Sequence, residues 1–192
     1  MNHLVHLYLA DATPGCRLGA LMGDFVKGPL DDRYPPEIRR GLEQHRQLDR
    51  FAQTNARFRH SRQRLCPSFR HFRSIMVDVV YDHFLAKNWP SYSKIPLKIF
   101  AEEIYRLLAE HRPVLPAALQ KVAPRMVAAD WLVASGETAT LDGILCRIDA
   151  RMSRPTPLAR GFHELMRQYR GLELDFAGFI DDAVRHRDER LS

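Results

Sequence analysis

The chain has 192 residues, of which 45% are hydrophobic, so it is long enough for one compact domain, 1–192, with a substantial core. Its apolar runs are far shorter than the roughly 20 residues that span a bilayer, so we expect no membrane span. No basic region precedes the first apolar run, so we expect no signal peptide and a cytoplasmic protein. The three cysteines are widely spaced, which favours neither a disulfide framework nor a thiolate zinc site. The net charge of +6 favours an acidic partner.

Helical periodicity runs through almost the whole chain, and proline and glycine separate the periodic segments. The helices predicted in chain order are 15–27 before Gly28 and Pro29, 34–53 with Pro36 in its first turn, 68–88 before Pro90, 96–111 before Pro113, 117–134 with Pro124 near its middle and Gly136 at its end, 140–153, and 157–190 as one helix or as two that break at Gly171. The first apolar stretch, HLVHLYLA, fits a helix or a strand, and no other segment alternates convincingly as a strand does. We therefore predict an all-α fold, a single compact multi-helix domain.

The third predicted helix contains RSIMVDVVYDHFLAKNW, in which two acids interrupt an apolar run. Asp78 and Asp82 are four residues apart, so they share one side of the helix, and that side also carries Ile75 and Val79. An ionised carboxylate is costly to bury without a partner. The pattern therefore predicts a metal ion or an arginine beside the two acids.

The second predicted helix shows a similar pattern. Its apolar side carries residues at offsets 0, 4, 7 and 11, namely Ile38, Leu42, His45 and Asp49. A histidine and a carboxylate one turn apart on an inward face can ligate one metal ion, or one can orient the other. Arg46 is next to this stripe and is a candidate for contact with a phosphate.

Three more candidates lie outside these stripes: Asp24 in GALMGDFVKG, His6 in the first apolar stretch, and His83 directly after the third helix's second acid. Each residue alone is more typical of a core or a helix cap, but matched polar residues on two helices favour one shared metal site. The residues expected to gather there are Asp24, His45, Asp49, Asp78 and Asp82, with His6 and His83 as further members. Imidazole and carboxylate ligands together suit Mn²⁺, Mg²⁺ or Fe²⁺.

Arginine is concentrated between Arg50 and Val77, a stretch that contains no acid. The arginines of this stretch are Arg50, Arg57, Arg59, Arg62, Arg64, Arg70 and Arg73. Arginine pairs well with phosphate and carboxylate, so the segment predicts contact with an acidic protein, a nucleic acid or a phosphorylated small molecule. A solvated basic surface is the alternative.

Trp131, in MVAADWL, lies one turn after Val127 on the apolar side of the fifth predicted helix. This position fits core packing or a groove for a lipid or pantetheine group, and we favour core packing.

Four segments resemble, in order and spacing, the motifs of the acyl carrier protein phosphodiesterase family: MNHLVHLYLA, GALMGDFVKG, PPEIRRGLEQHRQLD and DVVYDHFLAKNW. MVAADWL resembles a later motif of the same family. The resemblance implies an all-helical protein similar to an unorthodox branch of the HD phosphohydrolases, with a divalent metal ion, preferentially Mn²⁺, bound by His and Asp. It also implies an enzyme that hydrolyses the 4′-phosphopantetheine group from the serine of holo acyl carrier protein and leaves the apo form.

The resemblance also assigns expected roles to residues of this chain. The expected metal ligands are Asp24, His45, Asp78 and Asp82, and the expected catalytic groups are Asp49, His83, Arg46 and His6. A metal-activated water would attack phosphorus, Arg46 would neutralise charge on the phosphoryl oxygens, and Asp49 or His83 would act as general base or acid. The segment Arg50–Arg73 would dock the acidic carrier protein.

Two other functions fit the same residues. An HD-type phosphohydrolase that acts on a nucleotide such as an alarmone would use the same metal site. A non-catalytic helical module could bind nucleic acid through the arginines, but it would leave the inward carboxylates unexplained. We therefore expect carrier protein as the partner, and neither nucleic acid nor a membrane.

Overall fold

The computed structural model describes residues 3–30 and 32–189, which form ten α-helices with short connections. The α-helices are α1 His3–Leu9, α2 Pro14–Met22, α3 Pro36–Thr54, α4 Ala56–Arg64, α5 Phe72–Lys87, α6 Leu97–Glu110, α7 Ala117–Ala128, α8 Trp131–Ala134, α9 Thr138–Asp149 and α10 Gly161–Asp188. Short 3₁₀ helices lie at Gly23–Phe25, Pro67–Phe69, Trp89–Ser91, Arg112–Val114 and Pro157–Arg160. These two ranges contain no β-strand, which confirms the predicted all-α fold. The first two and last three residues of the predicted domain lie outside the described residues.

Most predicted helices are present, and the differences lie at their ends and breaks. The first apolar stretch is a helix, α1. The helix predicted over 117–134 is two helices, because Asp130 takes a left-handed conformation with φ 41° between α7 and α8. The break does not occur at Pro124, which lies inside α7. The last helix, α10, continues through Gly171 without a break, and residue 190 of that prediction lies outside the described residues.

Helical periodicity did not predict α4, the helix that carries several of the arginines. The side-chain oxygen of Asn55 starts α4, because it accepts hydrogen bonds from the backbone N–H groups of Arg57 and Phe58. Phe58 anchors the helix in the core, with its ring 5.8 Å from that of Tyr81 and 5.9 Å from that of Phe179. The arginine-rich segment is therefore helical over much of its length.

Two glycines let α2 and α3 approach until their backbones touch. A Cβ added at Gly19 would lie 2.1 Å from the carbonyl oxygen of Ile38, and one added at Gly41 would lie 2.1 Å from that of Cys16. Neither position has room for a side chain, so both glycines are required by the contact. The close approach fixes α3 relative to the segment that follows α2.

The core lies between α1, α5 and α10. Leu4, Val5, Tyr81 and Phe84 are fully buried, and the rings of Tyr81 and Phe179 lie 5.1 Å apart. α5 is buried over nearly its whole second half, so any polar residue on that half faces protein. No helix within the described ranges combines the length and the apolar character that a bilayer crossing requires.

We expect Gly41→Ala to lower the free energy of unfolding by about 2–3 kcal/mol, because the new methyl group must push α2 and α3 apart. Urea denaturation measures the change. Gly143→Ala is the matched control, since a Cβ there would meet only the flexible end of Arg147 and alanine favours a helix by up to about 1 kcal/mol over glycine. Equal stability of the two variants would show that the backbones of α2 and α3 do not touch.

Candidate metal centre

α1 is held in place by the side chain of Asp82, one turn from the C-terminal end of α5. The two carboxylate oxygens of Asp82 accept hydrogen bonds from the backbone N–H groups of Leu4 (3.0 Å) and Val5 (2.9 Å). These N–H groups belong to the first turn of α1 and have no partner within the helix, so Asp82 satisfies them. Burial raises the pKa of Asp82 to about 7, against the lowering effect of the two hydrogen bonds.

α1 presents two buried histidines, and one of them stacks on a histidine of α3. The rings of His6 and His45 are nearly parallel, with centroids 3.6 Å apart. His45 Nδ1 lies 2.8 Å from the carbonyl oxygen of Ala20. Since a carbonyl only accepts, Nδ1 carries the proton and Nε2 keeps a free lone pair. This arrangement, in which one ring nitrogen donates to a carbonyl, is common for histidines that ligate metals.

Gly23 makes room for the His45 ring. A Cβ at Gly23 would lie 2.1 Å from His45 Cγ, so no other residue fits without moving the ring. Gly23 begins the short 3₁₀ helix that also contains Asp24. The same turn therefore accepts the imidazole and places a carboxylate beside it.

Two carboxylates face these imidazoles. His6 Nε2 is 3.3 Å from Asp49 Oδ1, and His45 Nε2 is 3.4 Å from Asp49 Oδ2. Asp24 lies on another side, with Oδ1 3.9 Å from His45 Nε2 and Oδ2 3.6 Å from His3 Nδ1. His6, His45 and Asp49 each offer one ligand atom, and these three atoms lie within 4.8 Å of one another. Ligand atoms around one small dication are separated by up to about twice the 2.0–2.2 Å bond length, so small shifts would bring all three onto one ion.

Several buried polar atoms at this place have no hydrogen-bond partner among the described residues. They are His3 Nε2, His6 Nδ1 and Asp24 Oδ2. A buried polar atom without a partner costs free energy, and proteins tolerate it mainly where a ligand or an ion completes the site. The residues therefore fit a bound divalent cation.

The charge states also suit a metal ion. Burial lowers the pKa of His3 to about 4, against the opposing effect of Asp24. Burial and the neighbouring His6 lower the pKa of His45 to about 4, against the effect of Asp49 and Asp24. Burial alone would raise the pKa of Asp24, but nearby positive charge, including that of His3 and His45, lowers it to about 2. Neutral imidazoles and an ionised carboxylate near pH 7 are the forms that ligate metals.

Asp78 and Asp49 differ in their surroundings. Asp49 is 53% exposed, so the group can be reached from solvent. Asp78 is half-buried, and burial raises the pKa of its carboxyl, while His6 and Asp49 are among the charges that act on it. Asp78 is thus electrostatically coupled to the histidine and carboxylate group.

Two of the predicted catalytic residues lie in other surroundings. His83 Nδ1 donates to the carbonyl oxygen of Ser135 (2.9 Å), and its Nε2 accepts from the hydroxyl of Tyr169 (2.7 Å). The guanidinium of Arg46 donates to the carbonyl oxygens of Gly28 (2.7 Å) and Val26 (3.4 Å). His83 is thus held away from the metal centre, and Arg46 fastens the loop that follows Asp24.

The structure therefore gathers His6, Asp24, His45 and Asp49, places Asp78 near them, and uses Asp82 to hold α1. It adds His3, which was not among the predicted site residues. The available signal was spacing: His3 and His6 are three residues apart, so they share a face once the first apolar stretch is a helix.

A cleft of about 330 Å³ opens beside His6 and His45, between α1, α3 and the end of α10. Its wall includes charged and polar side chains: Asp11, Arg40, Glu43, Gln47, His186 and Arg187. Arg40 pairs with Asp11 at 2.7 Å, and Gln47 Oε1 is buried without a partner among the described residues. A polar ligand can therefore reach the imidazoles from this side.

The structure is thus an all-helical protein in which buried histidines and two neighbouring aspartates lie beside a charged cleft. The family profile described as "Acyl carrier protein phosphodiesterase" matches residues 1–183. The chain is 31% identical to the acyl carrier protein phosphodiesterase of Yersinia enterocolitica, over 93% of each chain. It is 30% identical to the protein of the same name from Yersinia pestis over 96% of each chain, and 29% identical to that of Serratia proteamaculans over the full length of both.

The chain therefore belongs to the acyl carrier protein phosphodiesterase family, as its four motifs predicted. The prediction that it is an enzyme, a phosphodiesterase, is likewise confirmed. No solved structure matches the chain.

In metal-free protein we expect the ring signals of His3 and His45 to titrate with midpoints near pH 4, because burial favours the neutral form of both imidazoles. NMR of labelled histidine measures both midpoints. The unfolded chain binds more protons between pH 6.5 and 4. The contribution of these residues to stability is therefore full above pH 6.5 and is lost as the pH falls towards 4.

The control is the same titration in concentrated urea, where both residues should return to about 6.5. Folded-state midpoints at the urea value would contradict the buried geometry described above.

Proposed function

We propose that the chain hydrolyses the phosphodiester that joins 4′-phosphopantetheine to the serine of holo acyl carrier protein, and that it needs a divalent cation to do so. The observation that carries the proposal is the group of His6, His45 and Asp49 with Asp24 beside it, whose two imidazoles also line a polar cleft. The relatives carry the matching name over nearly their full length. The cytoplasmic location and the similarity to HD phosphohydrolases stay predictions.

His6, His45, Asp49 and Asp24 would hold the cation, and Mn²⁺ is the ion we propose, with Mg²⁺ or Fe²⁺ as substitutes. When bound, the cation supplies Lewis-acid catalysis, which stabilises charge on the phosphoryl oxygens and acidifies water. Asp82 does not need to be a ligand, since both its oxygens accept backbone hydrogen bonds.

Asp78 is the residue we assign to proton transfer. Its raised pKa makes it a better base than an exposed carboxylate, and it is coupled to His6 and Asp49. In this proposal Asp78 accepts the proton of the attacking water and, as the bond between phosphorus and the serine oxygen breaks, returns that proton to the serine oxygen. His83, the other predicted candidate for this step, is engaged by Ser135 and Tyr169.

Arginines of the cleft would bind the phosphoryl group. Arg40 and Arg187 line the cleft beside the imidazoles, and their guanidinium groups can donate hydrogen bonds to phosphate oxygens. Arg46 would act indirectly, since it holds the carbonyls that follow Asp24. In this proposal Arg46 positions the carboxylate rather than the phosphate.

The acidic carrier protein would dock on the segment Arg50–Arg73, and only some of its arginines are available. Arg64 pairs with the buried Asp175 at 2.7 Å and stabilises the contact between α4 and α10. Arg57 and Arg59 are exposed on α4, so they can meet acidic side chains of a partner. Arg62 is half-buried and is a weaker candidate.

The decisive assay is mass spectrometry of holo carrier protein after incubation with the chain and Mn²⁺, which should show loss of the phosphopantetheine group. Asp24→Ala should weaken Mn²⁺ binding by about 10- to 100-fold. Asp78→Ala should leave Mn²⁺ affinity nearly unchanged and lower kcat by about 10²- to 10⁴-fold. Calorimetric titration with Mn²⁺ separates the two effects.

Asp142→Ala, on the exposed side of α9, is the matched control and should behave as the unmodified chain. A chain that leaves holo carrier protein intact but cleaves a nucleotide would sink the proposal in favour of the nucleotide hydrolase.

Charge reversal of Arg57 and Arg59 to Glu should raise KM for carrier protein by about 10-fold at low salt and flatten the salt dependence, with kcat nearly unchanged. Steady-state kinetics from low to physiological ionic strength measures both effects. The control reverses two exposed cations elsewhere, Lys121 and Arg125 of α7, with the same change in net charge. If both double variants shift KM equally, net charge and not docking on α4 is responsible.

A further inference from the structure

A second groove, of about 350 Å³, lies against α5, α8 and α9 and is lined mainly by apolar side chains. Its apolar wall includes Val79, Trp131, Leu132, Ile144 and Ile148. His3 and Asp82 line it too. Since His3 also faces Asp24 at 3.6 Å, this residue lies between the groove and the metal centre.

Trp131 forms one wall of this groove. The sequence analysis favoured core packing for this residue, and the ring does pack partly on the core, but it is only half-buried. Arg147 lies over the ring, 5.9 Å from its centroid. The residue therefore presents an aromatic face to the groove rather than filling the interior.

Gly143 makes the groove wider. It lies inside α9, where glycine costs about 1 kcal/mol relative to alanine, and a Cβ there would meet only the guanidinium of Arg147, at 3.1 Å. Unlike Gly19 and Gly41, it is not required by the close approach of another backbone. A glycine at this position leaves space in the groove that any longer side chain would occupy.

A buried polar atom also faces this region. His3 is 8% exposed, it lines the groove, and its Nε2 has no hydrogen-bond partner among the described residues. Its other ring nitrogen faces Asp24, so Nε2 is directed to the opposite side of the ring. The imidazole is thus placed between the metal centre and the groove.

We propose that this groove binds the pantetheine arm of the substrate, an inference that rests on the proposed function. A phosphodiester has two ester arms, and two spaces adjoin the centre that would cleave it. The cleft beside His6 and His45 is charged and suits the phosphoryl group and the protein side. The groove beside His3 is mainly apolar, which suits the dimethyl carbon and methylene groups of the arm, while the His3 imidazole in its wall offers a polar contact for an amide of the arm.

Gly143→Leu tests the assignment, because it fills the groove without removing any contact of the fold. Calorimetry on the Mn²⁺-loaded chain compares free 4′-phosphopantetheine with inorganic phosphate. The unmodified chain should bind 4′-phosphopantetheine about 10-fold or more tightly than phosphate, since the arm buries apolar surface. In Gly143→Leu the two affinities should become equal, and the affinity for Mn²⁺ should not change. Ala177→Leu introduces the same side chain on the exposed side of α10 and should leave both affinities as they are.

A second measurement needs no change in the groove. The chain has two tryptophans, and Trp89 is 2% exposed, so Trp89→Phe leaves Trp131 as the only tryptophan, which can be excited separately from tyrosine. Pantetheine, which has no phosphate, should shift the emission of Trp131 in this variant.

The inference is overturned if the unmodified chain binds 4′-phosphopantetheine no better than phosphate, if Gly143→Leu keeps the preference, or if the Trp131 emission does not respond. None of these results would contradict the proposed function, because the conversion of holo to apo carrier protein is measured separately. Failure of that conversion would overturn the proposed function itself, and the occupant assigned to the groove with it.

Discussion

The contact between the backbones of α2 and α3 is the constraint on which the site depends. Gly19 and Gly41 remove the side chains that would keep the two helices apart. At the resulting distance, the carbonyl of Ala20 reaches His45 Nδ1, and Gly23 accepts the imidazole ring. A separation larger by one methyl group would lose both the hydrogen bond that fixes the tautomer and the proximity of His45 to Asp24.

Three elements then share the work of assembling the centre. α1 brings His3 and His6, α3 brings His45 and Asp49, and the short helix after α2 brings Asp24. Burial keeps the imidazoles of His3 and His45 neutral near pH 7, and Asp24, whose pKa is lowered to about 2, is ionised there. Several of these atoms are buried and have no hydrogen-bond partner within residues 3–30 and 32–189, and a buried polar atom of this kind costs folding free energy.

Helical periodicity was sufficient to predict the all-α fold and the inward face of α3. Residues with the spacing of Ile38, Leu42 and His45 lie on one face of a helix, and that face is buried. Periodicity did not reveal α4, where Phe58 is the one large apolar residue among arginines, and the helix depends on the Asn55 cap and on packing. The break at Asp130 was also missed, because its left-handed backbone leaves no periodic signature.

The candidate metal centre likewise has residues whose positions spacing could predict and residues whose positions it could not. Spacing correctly placed His45 and Asp49 together, since both lie on one helix. Spacing could not show that the carboxylate of Asp82 accepts hydrogen bonds from backbone N–H groups of α1. A buried carboxylate has the same sequence pattern whether its partner is a cation or the N-terminal end of a helix. Nor could spacing show that His83, next to Asp82 in sequence, points about a quarter turn away to Ser135.

The hydrogen bonds from Leu4 and Val5 to Asp82 connect residues that are 78 and 77 positions apart. A helix of seven residues such as α1 is not stable alone in water. During synthesis, α1 leaves the ribosome before α5 and lacks its anchor until α5 has emerged. The imidazoles of α1 therefore acquire fixed positions only when α5 is in place, so the group of His6, His45 and Asp49 forms only after the chain has been synthesised beyond α5.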